Sequence, residues 1–234
     1  MIRNIWHISD THTYHGLLKV PSDVDMIIFS GDCSNPRDKW FNEVEVRSFL
    51  SWFAKLPIRH KIFVAGNHDS SIEASLVKKA DFASVGIIYL ENDFVVIEDI
   101  KIFGSPFTPK FGDWSFMKNR SKLNGIWERI PDDTDILIVH GPPKGVLDLS
   151  EDRDRNLEQC GCSALKKRVL NLRLKLMCFG HIHNFKDITN SGTARIASLN
   201  TLFSNGSVVT DNRFGELTSN GNMIMLVRDS AIHM

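Results

Sequence analysis

Five short runs in the 234-residue chain concentrate side chains that bind cations or move protons: Asp10-Thr11-His12, Gly31-Asp32, Gly66-Asn67-His68-Asp69, His140-Gly141 and Gly180-His181-Ile182-His183. Five of the nine histidines fall in these runs. Asp10, His12, Asp32, Asn67, His140, His181 and His183 offer oxygen and nitrogen donors and no thiolate, a set that suits divalent cations and argues against a structural thiolate site. Seven donors exceed the needs of one ion. They suit two ions that share a bridging carboxylate. Asp-x-His and His-x-His spacing matters because residues i and i+2 of an extended segment project to the same side, so one strand end presents two side chains to one cavity. Gly31, Gly66 and Gly180 allow sharp turns and close backbone approach to an ion or a phosphate. Singly, Asp-x-His and Gly-Asp are ordinary surface turns and a lone strand-end histidine is ordinarily structural. The inference rests on their joint occurrence. His7, His15, His60 and His233 lie outside these runs and are read as structural or solvated.

Each run follows a short apolar, β-rich segment, at residues 4–9, 25–30, 61–65, 135–140 and 175–180. Several of these are apolar throughout, which predicts strands covered on both faces. Helical spacing of Val46, Phe49, Leu50 and Phe53 predicts a helix over 42–56, and Leu165, Val169 and Leu172 predict another over 162–174. The β-then-α order implies an α/β protein with a largely parallel inner sheet. In such sheets ligands bind at the carboxyl ends of the strands, where the five runs lie. Residues 87–105 read as hairpin strands turning at 91–93 and again at Asp99, so part of the sheet system is antiparallel. Residues 194–229 add short strands between Asn, Gly and Ser turns, and the polar stretch 148–159 reads as a mobile surface loop.

The 28 basic and 28 acidic residues cancel, so no field of one sign draws the molecule to long nucleic acid or to a membrane surface. A charged substrate has to be held locally. The amino-terminal run lacks the apolar core of a secretory signal, and nowhere do about 18 apolar residues run together. The expectation is a soluble cytoplasmic protein, one domain over 1–234. Cys33, Cys160, Cys162 and Cys178 lack the paired spacing of a zinc knuckle and are read as free thiols.

Taken in order, the five runs resemble the calcineurin-like metallophosphoesterase superfamily, from about residue 4 to about residue 200. Within it, "SDTH", "GSPFTPKFGDWSF" (104–116), "VHGPPKGVLD" (139–148) and "CFGHIHN" resemble the metallophosphoesterase-domain group often called MPPED, related to class III cyclic nucleotide phosphodiesterases. The chain departs from that group at "GDCS", where an aromatic often follows the aspartate, and in an acidic insertion near 151–158. The resemblance implies a four-layer α-β-β-α sandwich of two mixed β-sheets flanked by helices. It implies a first metal on Asp10, His12, Asp32 and His183, and a second on Asp32, Asn67, His140 and His181, with Asp32 bridging. The implied ions are manganese or iron, with zinc, cobalt, nickel and magnesium as other choices. His68 matches a catalytic histidine that is not a ligand and reaches the substrate, with Asp69 behind it to hold its ring.

The implied activity is hydrolysis of phosphodiester bonds by a hydroxide bridging two metals, with cyclic nucleotides the first candidate substrates. His68 would protonate the leaving alkoxide. The alternatives are a phosphomonoesterase, a nuclease acting on short nucleic acid, and a non-catalytic metal-binding scaffold; all seven ligand positions being filled counts against the last. The partner expected is a small phosphoester, nucleotides included. In the aromatic loop 106–116, Phe107, Phe111 and Trp114 either stack on a nucleobase or cap a sheet as core. Lys110, Arg37 and Lys144 either meet a phosphate or remain solvated.

Overall fold

A computed structural model describes residues 2–152, 154–210, 215–227 and 230–234. Two six-stranded sheets dominate it. The first runs, in spatial order, Ser230–His233, Asn222–Val227, Asn4–Ile8, Met26–Phe29, His60–Phe63, Ile88–Tyr89. The second runs Gly192–Arg195, Leu202–Asn205, Leu176–Phe179, Ile136–Val139, Ile100–Ser105, Asp93–Ile97. In the first, the four strands from Asn4–Ile8 to Ile88–Tyr89 run parallel and the two at the other margin are antiparallel; in the second, four parallel strands lie between antiparallel strands at both margins, so both sheets are mixed.

The two-residue period of the strands explains why they are apolar throughout. One set of alternate residues, including Ile5, Ile28 and Ile62 from the first sheet and Ile102, Ile138 and Leu176 from the second, meets between the sheets. The other set faces outward. Trp6, Phe29 and Phe63 pack under Val46, Phe49 and Phe53 of the helix Lys39–Lys55. Phe103, Leu137 and Phe179 pack under Trp127, Leu165 and Val169 from helices on the opposite side. Three cores between four layers give the α-β-β-α sandwich. Among the described residues no helix is long and apolar enough to cross a membrane.

Four local expectations are revised. The first helix begins at Lys39, three residues ahead of the expected start at 42, because the Asp38 carboxylate accepts from the Trp40 and Phe41 amides at 2.9 and 3.1 Å and caps it. The helix predicted over 162–174 spans only Ser163–Val169. Bonds from Asn171 N to Arg168 O and from Leu172 N to Val169 O tighten its end, and Leu172 and Leu174 reach the core from the turn beyond. The predicted turn at 91–93 is no hairpin. Ile88–Tyr89 extends the first sheet beside His60–Phe63, whereas Asp93–Ile97 pairs with Ile100–Ser105 in the second, so the chain changes sheets there. Of the two turns expected there, Glu98-Asp99 alone makes a hairpin, both residues at positive φ (49° and 68°), the mirror-image turn that matches strand twist. Finally, the stretch read as a mobile loop pairs Leu149–Glu151 with Leu157–Gln159 as a short antiparallel ribbon; Arg153 lies outside the described residues. All four cysteines are free thiols.

Candidate metal centre

The carboxyl ends of the parallel strands of both sheets meet along one edge. Backbone bonds join them: Asp10 N to Gly31 O at 2.8 Å within the first sheet, Ser9 N to Gly206 O at 2.8 Å between sheets. The first sheet contributes Asp10, His12, Asp32 and Asn67, and the second contributes His140, His181 and His183. Oxygen donors from one sheet therefore face imidazoles from the other.

These side chains form two groups, Asp10 with His12 and His183, and Asp32 with His140 and His181, the donor atoms of each within 4.8 Å of one another. In the first, Asp10 Oδ1 lies 3.0 Å from His183 Nε2, and the His12 and His183 rings are 5.2 Å apart. In the second, Asp32 Oδ2 lies 3.2 Å and Asn67 Oδ1 3.0 Å from His140 Nε2. The donors are held from behind. His140 Nδ1 meets the Ser30 carbonyl at 2.8 Å and His12 Nδ1 the Ser34 carbonyl at 3.2 Å, the second-nitrogen contact that turns the other ring nitrogen toward an ion. Asp10 Oδ2 accepts from Ser207 Oγ at 2.8 Å and His181 N at 2.9 Å, and Asp32 Oδ1 accepts from His68 N at 2.7 Å.

Backbone strain gathers at the same place. Asp10, His12, Asp32 and His181 all have positive φ, between 42° and 70°, a conformation that costs a non-glycine residue about 1–2 kcal/mol. The glycines leave no spare room. A Cβ on Gly180 would stand 2.0 Å from Asp10 Oδ2, and one on Gly66 2.2 Å from Asp32 Oδ1. Burial opposes ionisation of both carboxylates, but His183 holds Asp10, and His140 holds Asp32, well below the usual carboxylate range. Burial also opposes charge on His140, yet Asp32 and Asp10 outweigh it and raise its pKa to about 9. Burial and the neighbouring His140 push His181 down to about 3. Two ionised carboxylates, a carboxamide oxygen and imidazoles on a strained, pre-paid backbone are a donor set that fits a pair of divalent cations.

His68 stands beside both groups, its ring near His12 of the first and its backbone N–H on Asp32 of the second. Its ring lies 4.2 Å from the Trp114 indole and 4.9 Å from the His12 ring, and its Nδ1 is 3.3 Å from the Asn35 carbonyl. Asp69 does not hold that ring, contrary to expectation. Its buried carboxylate turns inward and accepts from Gly66 N at 2.7 Å, Asp32 N at 3.0 Å, Cys33 N at 3.1 Å and Ser34 Oγ at 2.8 Å. Asp69 thus ties the loops bearing Asp32 and Asn67 together; burial and the charge of Asp32 raise its pKa. His7, read from sequence as structural or solvated, is buried between the sheets and bridges Ser204 Oγ at 2.7 Å and Ser30 Oγ at 2.9 Å.

The aromatic loop divides. Phe107 packs against the cores with Phe116, Phe111 is exposed with its ring 5.4 Å from His181, and Trp114 carries the Arg37 guanidinium 3.7 Å from its centroid. Lys110 Nζ lies 3.9 Å from Asp113 Oδ1 and Lys144 is exposed, so neither joins the two groups. Sequence reasoning overlooked Ser207, Asn35 and the Arg37–Trp114 stack. Ser207 was within reach, since "LFSNGS" is one more apolar strand ending in Asn205-Gly206-Ser207. The other two depend on loop geometry that no local pattern encodes.

Comparison with known proteins agrees with this geometry. The chain is 34% identical to the "Probable rhamnogalacturonate lyase C" of Emericella nidulans over 75% of its length, and 33% identical to human "Metallophosphoesterase domain-containing protein 1" over 88%. It spans only 16% and 66% of those two relatives. Among solved structures, TT1561 of Thermus thermophilus superposes with a TM-score of 0.61 at 14% identity, covering 100% of this chain and 99% of that one, a likeness of fold. The family model for calcineurin-like phosphoesterases matches residues 3–185, and the chain belongs to that family.

Proposed function

We propose that the protein is a binuclear metal-dependent phosphodiesterase, with cyclic nucleotides the first substrate class to test. The observation that carries this reading is the meeting of two carboxylate–imidazole groups at one sandwich edge, with a non-ligand histidine beside them. Asp10, His12, Asp32 and His183 would hold one ion, and Asp32, Asn67, His140 and His181 the other, with Asp32 shared; manganese or iron suits such mixed donors. Divalent ions there supply Lewis acidity and lower the pKa of a bound water toward neutrality.

The chain's own residues do the rest. Asp32, held by the His68 amide, keeps both groups in register. His68, with Nδ1 at the Asn35 carbonyl, offers Nε2 to the oxygen of the departing alcohol, a proton transfer that typically contributes ~10²- to 10⁴-fold. Phe111, exposed beside His181, gives a base a face to stack on, a contact of ~1–3 kcal/mol. The balanced net charge favours a small phosphoester over long nucleic acid, and a cytoplasmic location fits a chain with free thiols.

The test is metal analysis of the purified protein, followed by a rate panel of aryl monoester, aryl diester, 2′,3′- and 3′,5′-cyclic nucleotides and short single-stranded DNA. About two ions per chain and preference for diesters are expected. A strong preference for the monoester overturns the diesterase reading, and two bound ions with no turnover of any member indicate a scaffold.

A further inference from the structure

With Asp69 turned inward, something else must set the His68 ring. Its Nδ1 contact with Asn35 O, at 3.3 Å, fixes one direction and leaves rotation about the bond to the ring weakly restrained. Two rings flank it: His12 meets it edge-on at 4.9 Å, and the half-buried Trp114 indole, nearer at 4.2 Å and inclined by 37°, covers its face. Trp114 is itself well anchored. Ser115 N donates to Asn67 O at 3.2 Å and Phe116 N to Glu73 Oε1 at 2.9 Å, so the loop that carries the indole is bonded to the residue preceding His68. The Arg37 guanidinium covers the indole at 3.7 Å, and Ser70 Oγ binds the Arg37 carbonyl at 3.2 Å. Arg37, Trp114 and His68 together line one wall of a cavity of about 230 Å³ that adjoins Asn67.

We propose that Trp114, backed by Arg37, is a positioning residue for His68: it holds the imidazole so that Nε2–H points at the leaving-group oxygen. This rests on the phosphodiesterase reading above. As a water oxygen forms its bond to phosphorus and releases a proton to solvent, the scissile P–O bond breaks, its electron pair stays on the departing oxygen and the Nε2 proton moves there; solvent then returns a proton to Nε2. A leaving group that is already a stable anion needs no such proton. Misplacing His68 must therefore harm alkyl esters more than 4-nitrophenyl esters. Errors of about 1 Å in such geometry cost on the order of 10²-fold.

The experiment compares wild type, Trp114→Leu, Trp114→Phe, Arg37→Leu, His68→Ala and the Trp114→Leu/His68→Ala double variant on an alkyl and a 4-nitrophenyl phosphodiester, with metal content measured for each. In Trp114→Leu, kcat on the alkyl ester should fall by about 10- to 100-fold, at least ~10-fold more than on the nitrophenyl ester. Trp114→Phe should restore most of it, and Arg37→Leu should cost about 2- to 5-fold, the worth of an exposed cation–π contact. The double variant should be no slower than His68→Ala. Independently of turnover, the His68 ring protons of the metal-free protein should be shifted by the indole ring current in NMR spectra, and Trp114→Leu should remove that shift. Equal losses on both esters, or additive losses in the double variant, overturn the proposal, as does an unshifted His68 in wild type. If His68→Ala loses equally on both esters while the ring-current shift is present, the proton-transfer role has failed and the stacking has not.

Discussion

Asp69 offers the sharpest test of how the site is held together. The sequence places it next to His68 and suggests an orienting partner; the fold makes it the tie between two loop segments, 32–34 and 66–69. Replacing it by alanine strips the acceptor from Gly66 N, Asp32 N and Cys33 N, all buried, while Ser34 Oγ can turn to the His68 carbonyl at 3.2 Å. A buried donor left unsatisfied costs ~1–3 kcal/mol, so three put the loss at about 3 kcal/mol or more. For a chain of this size each kcal/mol lowers Tm by roughly 2–4 °C, so metal-free Asp69→Ala should melt about 6–12 °C below wild type. Asp69→Asn keeps the shape but sets an amide NH₂ against backbone N–H groups, and should lose about half as much. Thermal unfolding followed by circular dichroism reads both. If Asp69→Asn melts like wild type yet loses turnover selectively on alkoxide-leaving esters, Asp69 acts through His68 and the loop-tie account is wrong.

Gly180→Ala drives a Cβ to within 2.0 Å of Asp10 Oδ2 and 2.1 Å of Ser9 Oγ; metal affinity should drop by about 10- to 100-fold, measured by equilibrium dialysis. Stripping metal with a chelator should lower Tm, and returning manganese at about 100 times its Kd should recover ~2.7 kcal/mol, an effect Asp32→Ala largely abolishes. His7, its pKa lowered from 6.5 to about 3 chiefly by burial, stays neutral in the fold and charges in the unfolded chain. The unfolded state therefore binds more protons between those values, and stability is lost as pH falls from 6.5 toward 3. In His7→Gln, urea titrations should show a shallower fall across that window. Removing the Phe111 ring with Phe111→Ala should raise KM for nucleotide substrates by about 5- to 100-fold and leave 4-nitrophenyl diesters little changed, as kinetics on the two substrates would show.

Features that lie next to their cause along the chain are legible from residue order alone. Strands apolar throughout declare two buried faces, and each donor follows its strand within a few residues, so the donor set and its placement at carboxyl ends could be read locally. The four-layer arrangement came with the family resemblance, and the three separate cores bear it out. Which partner each group meets is set by the three-dimensional fold. Asp10 faces His183 across 173 residues, Asp32 faces His140 from the other sheet, and residue 90 leads into a second sheet instead of a hairpin. Asp69 likewise turns from its neighbour toward the amides of a distant loop, and Trp114 comes to lie on His68. Periodicity records which face of an element is buried. Side-chain direction and ladder partner are settled by packing between segments far apart in sequence, where a buried N–H must find whichever acceptor the fold brings to it.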